Sequence, residues 1–399
     1  MPRRSLYIAA SGQHVGKSTI TLGLCAALQG RGIDVGYSKP LGQKCVVVDG
    51  LRVDKDAALL ARAMGFTLET ALHSPVIVGP GDTARFLDDE DDGDLGARVL
   101  SAQIQLAADT LRQRHDVVIF EGAGHPGVGS VVDLSGARVA RMLGAGVVLV
   151  VEGGIGSTID QIALCQAMFA AEGVAIHGVI ANKVLAHKLD KVRHYLQRAL
   201  ARRGLALLGV VPSDPGLRHP CIRYIAQVLE AEVVAGAAHV DNLAQDAIAG
   251  GCFDFDAGDR DPGLLLVTCA GRLSAVLAEA GARQGRGGRI TALAGIAVAG
   301  EASPSAEQRR QAEALQVSLV HTRLSVEQAL GRASKLVAKL HERDDHDLQR
   351  AIALCERYVD MERIGALMVA EPGRLRGRRR TAGRQLAALP AHHEQWLGP

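Results

Sequence analysis

Aromatic side chains are scarce in this chain: six Phe, five Tyr and one Trp make up 3% of 399 residues. So few flat rings leave little for the bases of a single strand to stack on, which argues against a nucleic-acid-binding body. Long apolar runs are missing too, and no stretch approaches the ~18 residues that a membrane span requires. The apolar part of the N-terminal "MPRRSLYIAAS" is too short for a signal segment and passes straight into a Gly-rich loop. These absences predict a cytoplasmic protein with no membrane and no nucleic-acid partner. Paired cysteines are also lacking. Cys25, Cys45, Cys165, Cys221, Cys252, Cys269 and Cys355 are odd in number and contain no C-x-x-C, so neither a disulfide framework nor a zinc cluster is expected. Most read as small buried hydrophobes. Excess charge is slight, +2 overall. Six arginines against two glutamates beyond residue 370 contribute +4, leaving the rest near −2.

What is present is a regular alternation. "SLYIAA", "DVGYSKP", "DVVIFEG", "GVVLVVEGG", "IHGVIANKV" and "ALLGVVPSD" are Val/Ile/Leu-rich strand candidates, separated by amphipathic stretches such as "TITLGLCAALQGRG" and "STIDQIALCQAMFAAEG". Near-continuous apolar strands between helices predict a doubly wound α/β domain with a parallel sheet, over residues 1–215. A smaller α/β domain is expected over 216–370, with "CIRYIAQVLEAEVVAG", "SVEQALGRASKLVAKL" and "DLQRAIALCERYV" as helices and "GLLLVTCAG" and "TALAGIAVAGEASPS" as strands. The remainder, 371–399, is basic and aperiodic and reads as a disordered tail. The acidic run Asp88–Asp94 would need a carboxylate where Val99 stands to be a calcium loop, so it reads as an acidic surface loop.

The chemistry concentrates after the first strand. "SGQHVGKST" supplies Gly16, Lys17 and Ser18 of a phosphate-binding loop, but Ser11 replaces its usual first glycine and Gly12 follows. Such a loop cradles phosphates with backbone N–H groups, reaches them with its lysine and holds magnesium with its hydroxyl, while the helix start adds a positive end. The expected nucleotide contacts are Gly12, Gln13, His14, Val15, Gly16, Lys17, Ser18 and Thr19. Glu121 closes an apolar strand, where a parallel sheet places ligands. Asp54 and Asp56 stand at a loop-to-helix junction and read either as metal ligands or as helix caps. Lys39, at the end of the next strand, faces either the same crevice or solvent.

Taken in order, "GQHVGKST", "SKPLG", "DKDA", "FEGAG", "IANKV" and "GVVPSD" resemble dethiobiotin synthetase and its relatives, which include the amide-forming synthetases of cobyrinate. The resemblance spans about residues 5–215 and implies a P-loop NTPase-like fold binding ATP and Mg²⁺. It implies Lys17 on the phosphates, Ser18, Asp56 and Glu121 around magnesium, and Lys39 facing an acceptor substrate, with Lys17 and Lys39 as catalytic cations. Asn182 and the backbone near Pro212 would hold the adenine. Beyond "EGAG" the chain departs, reading His125, Pro126 and Val128 where those synthetases contact their diamino acid. His125 is either a catalytic or ligand-contacting group or a turn histidine. Cys252 in "AGGCFDFDAG" lacks the small neighbours and the His-x-Glu of a glutaminase elbow and reads as structural.

The second half resembles the DRTGG domain of long phosphate acetyltransferases, on "LLLVTCAGRLSAVLAEA", "LAGIAVAGEASPS" and "AIALCERYVDMERI". The namesake motif is replaced by "VAGEASPS", and no acetyl-transferring domain follows in the sequence. Together the two resemblances imply an ATP/Mg-binding regulatory protein. The alternative is an ATP-dependent ligase that activates a small carboxylate or carbamate for attack by an amine. A homodimer is expected by the same resemblance.

Overall fold

The computed structural model describes residues 5–79, 81–88, 93–249, 263–285, 293–334, 336 and 345–368. Most of the acidic run, Cys252 and the basic tail lie outside the described residues.

The chain opens with β1 (Ser5–Ala10), α1 (Lys17–Gln29) and β2 (Val35–Ser38). Two small ribbons follow: β3 (Leu41–Gly42) pairs with β6 (Val76–Ile77), and β4 (Cys45–Val48) with β5 (Leu51–Asp54), which leads into α2 (Lys55–Met64). The strands β7 (Val117–Glu121), β8 (Gly146–Glu152), β9 (Ile176–Val184) and β10 (Leu207–Pro212) complete a six-stranded sheet. Its order is β10-β9-β8-β1-β7-β2, and every pairing is parallel. Alternate residues feed two cores, Tyr7 and Ala9 into one layer and Leu6, Ile8 and Ala10 into the other. That two-sided burial is what the near-continuous apolar runs require. Strand order turns around β1, flanked by β7 and β8. In such sheets the crevice for ligands opens beyond the C-terminal strand ends at that turn.

A second sheet, mixed in direction, comprises β11 (Glu232–Ala235), β12 (Asp246–Ala249), β13 (Leu264–Cys269), β14 (Leu293–Ala299) and β15 (Ser318–Thr322). The order is β11-β15-β14-β13-β12, with only β11 antiparallel to its neighbour among these pairings. The helix expected to run through "CIRYIAQVLEAEVVAG" is shorter than the sequence suggests. It stops at Val228, Glu230 turns the backbone at φ 52°, and the remainder becomes β11. Tertiary pairing with β15 overrides the helical pattern there.

The chain then returns to the first sheet. Helices Asp345–Tyr358 and Met361–Met368, with Val359 between them, bury Ala351, Cys355, Val359, Met361, Ile364 and Met368 in the same core as Leu6, Ile20, Leu24 and Leu28. Gly23 of α1 permits the approach: a Cβ there would fall 2.6 Å from that of Cys355. Val359 bridges to Gly209, and the Asp360 N–H donates to the Leu208 carbonyl at 2.8 Å. Strands β11–β15 are therefore carried on an excursion that begins and ends beside β10. Burial pushes the Cys355 thiol up to about 12, as suits a packed, unreactive cysteine. Cys25 and Cys165 are likewise buried, whereas Cys45 and Cys269 are exposed.

Candidate functional site

The loop between β1 and α1 is anchored at the residue that departs from the usual pattern. The Ser11 N–H donates to the Val150 carbonyl at 3.0 Å, and its hydroxyl donates to Gln161 Oε1 at 3.0 Å. Ser11 thus ties the loop's start to β8 and to the helix Gly156–Ala171. His14 (φ 61°) and Gly16 (φ 86°) hold left-handed backbone, the latter at no steric cost. Gly16 caps α1 without any side chain accepting from the helix, and no acidic residue sits in the first turn. The helix therefore presents a positive end that its own side chains leave uncapped. Gly12 through Thr19 line a cleft of about 210 Å³, joined by Lys39, Asp54, Asp56 and Ala123.

At the floor of this cleft, charges from four strand ends and helix starts converge. Lys17 is ion-paired with Glu121, and Ser18 Oγ donates to Glu121 Oε1 at 2.8 Å. Tyr37, from β2, donates its hydroxyl to the other carboxylate oxygen at 3.2 Å. Burial and the neighbouring Glu121 push the Tyr37 phenol well above its ordinary value, so it remains a donor. Lys39 is ion-paired with Asp56, lies 3.1 Å from Asp54 Oδ1, and approaches Glu121 Oε1 to 4.0 Å. Desolvation pulls the Lys39 ammonium down, but Asp56, Glu121 and Asp54 more than reverse this and hold it above the ordinary lysine range. Burial pushes the Asp56 carboxyl up. Lys39 and Lys17, with hydrogen bonds from Lys39 and Ser18, outweigh it and hold Asp56 below its ordinary value.

The two aspartates divide the roles that the sequence left open. Asp54 caps α2, accepting from the Asp56 N–H at 2.9 Å, while its other oxygen accepts from the Gln43 and Lys44 N–H groups at 2.9 and 3.1 Å. It is buried and structural. Asp56, two residues further on, keeps its carboxylate on the cleft side with Lys39 and Ser18.

Two lysines and three carboxylates meet here, leaving one negative charge in excess. The oxygens of Ser18, Asp56 and Glu121 form a hard donor set that suits magnesium, which takes one or two carboxylates and completes its shell with phosphate and water. Among the described residues no three acidic, His or Cys side chains form a metal site by themselves.

Behind the loop, Asn182 donates to the Val15 carbonyl at 2.9 Å and lies against Gly16, bracing the loop. Lys183, in left-handed backbone, donates to the His14 carbonyl and lines the cleft, as does Leu217. Pro212 ends β10, paired with Val184. His125 is exposed, and its ring accepts the Gly127 N–H at 3.2 Å inside a turn. Tyr37, Lys183 and Leu217 were not singled out in the sequence. Of these, only Lys183 lay inside a quoted motif that could have drawn attention to it.

Comparison with known proteins agrees with this geometry. The model of the AAA domain family AAA_26 matches residues 4–220. Cobyric acid synthase of Paracoccus denitrificans is 33% identical over 234 residues, covering 53% of this chain and 47% of its own length. Phosphate acetyltransferase of Pseudomonas aeruginosa is 27% identical over 311 residues, covering 74% of this chain and 41% of its own. The chain thus spans about half the length of the curated relatives it matches. Among solved structures, the MinD cell division protein of Aquifex aeolicus superposes with a TM-score of 0.33 at 13% identity, over 53% of this chain and 84% of that one. With the strand–loop–helix geometry and a family match over more than half its length, the chain belongs to the AAA_26 family of P-loop, dethiobiotin synthetase-like AAA domains.

Proposed function

We propose that the P-loop domain binds ATP with magnesium and reports its occupancy to the second domain, as a regulatory or sensor module. The observation that carries the nucleotide reading is the converging set Lys17, Ser18, Lys39, Asp56 and Glu121 at the foot of an uncapped helix. Lys17 would leave Glu121 for the phosphates, and Ser18, Asp56 and Glu121 would hold the metal. Bound magnesium supplies charge neutralisation on the phosphate oxygens. Tyr37 keeps Glu121 oriented while this exchange of partners occurs. The regulatory part rests on the likeness to phosphate acetyltransferase, which covers 74% of the chain and so extends beyond the P-loop domain. In this reading the second sheet is a DRTGG-like module.

A second reading is an ATP-dependent ligase, favoured by the likeness to cobyric acid synthase and by Lys39 on the cleft floor. There Lys39 would steady a carboxylate as it accepts a phosphoryl group. Phosphate release measured with ATP and magnesium, against a panel of small carboxylates and diamines, separates the two. Nucleotide binding without turnover under every condition supports the sensor. Release that rises sharply with one compound overturns it in favour of the ligase.

A further inference from the structure

We infer that Arg350, on the returning helix, is a positioning residue for the base end of the nucleotide cleft. The inference rests on the nucleotide reading above. The segment after β10 sits at the cleft's outer wall. Ser213 N–H donates to the Val184 carbonyl at 2.7 Å, and Leu217 lines the cleft. Its conformation is set by Asp214, whose Oδ1 accepts from the Gly216 and Leu217 N–H groups at 2.8 and 3.3 Å and caps the one-turn helix Pro215–Arg218. Arg350 grips this turn from outside. Its Nη1 reaches Asp214 Oδ1 at 3.2 Å, and its guanidinium lies over Gly216, where a Cβ would come within 2.8 Å of Cζ.

Arg350 is itself firmly placed. Its helix is fixed to α1 through Cys355 against Gly23, and to β10 through Val359 and Asp360. Leu217 and Leu348 pack against the same core. The wall of the cleft is therefore held by a residue lying beyond the whole second sheet in the chain. A one-turn helix has little stability of its own, so removing the guanidinium frees Leu217 without touching the phosphate loop. The Arg350–Asp214 pair is half exposed on the arginine side, which limits its worth to a modest factor.

The test uses the full chain and two probes, ATP and inorganic tripolyphosphate, titrated calorimetrically. Arg350→Ala should weaken ATP about two- to fivefold and leave tripolyphosphate unchanged, with Arg350→Lys falling between. Gly216→Ala, whose added carbon displaces the guanidinium, should reproduce the alanine pattern and serves if Arg350→Ala does not fold. Unchanged ATP affinity, or equal losses for both probes, overturns the inference while leaving the nucleotide site intact. A wild-type chain that binds neither probe overturns the nucleotide reading and this inference with it.

Discussion

Ser18 Oγ and Glu121 Oε1 lie 2.8 Å apart, although 103 positions separate them in the chain. The first turn of α1 and the last residue of β7 meet there because β1 and β7 are neighbours in a parallel sheet. This contact is where a magnesium ion would be shared. Glu121→Gln keeps the shape and one accepting oxygen for Lys17 and Ser18, but removes the charge and the second acceptor that Tyr37 uses. Calorimetry should show affinity for ATP falling by about tenfold or more with magnesium present, and much less in its absence. Equal losses in both conditions would remove Glu121 from the metal shell.

Asn182 offers a sharper test, because its side chain braces the loop through Val15. Asn182→Ala leaves a buried carbonyl unpaired and should lower stability by about 1–3 kcal/mol in denaturant unfolding. Affinity for tripolyphosphate should fall along with that for ATP. If ATP alone weakens, Asn182 serves the base rather than the loop.

The Lys39–Asp56 pair makes a pH-dependent contribution whose sign follows from its two shifts. Asp56 is held below its ordinary 3.8, so its contribution is complete above that value and fades as pH falls. Lys39 is held above its ordinary 10.5, so its contribution is complete below that value and fades only in stronger alkali. The stability gap between wild type and Lys39→Met, about 3 kcal/mol for a broken buried pair, should be flat from about pH 5 to about pH 9 and shrink below about pH 4. A gap that changes steadily across neutrality would point to other titrating groups.

Gly23 reports on the returning helix. Gly23→Leu should destabilise the whole chain by about 1–3 kcal/mol, read as a lowered denaturation midpoint, because the side chain must displace Cys355. No change would mean that the helix is not seated on α1 in solution.

How much of this was legible in the sequence depends on range. "SLYIAA" and "IHGVIANKV" coincide with β1 and β9, because strands buried on both faces must be apolar at nearly every position. The loop residues and Glu121 were legible because their motifs are local. The seat of Asp345–Tyr358 was not, since an amphipathic helix shows which face it buries but not against what. Likewise "EAEVVAG" carries no local mark of its pairing with Ser318–Thr322. Nor could spacing reveal that Asp54 turns one oxygen to the Gln43 and Lys44 amides and the other to the Asp56 N–H, leaving the Asp56 carboxylate for the cleft. Tyr37 escaped notice because an aromatic in an apolar strand looks like core, and only the end of β7 beside it gives its hydroxyl a partner.

In the proposed function the Ser11–Thr19 loop binds nucleotide phosphate through Lys17. Isothermal titration of wild type and Lys17→Ala with ATP and magnesium tests it most directly. Wild type should bind saturably, and the variant should lose about 10- to 100-fold in affinity while its melting transition remains cooperative. Equal affinity in the two proteins, or no binding by a folded wild type, would contradict it.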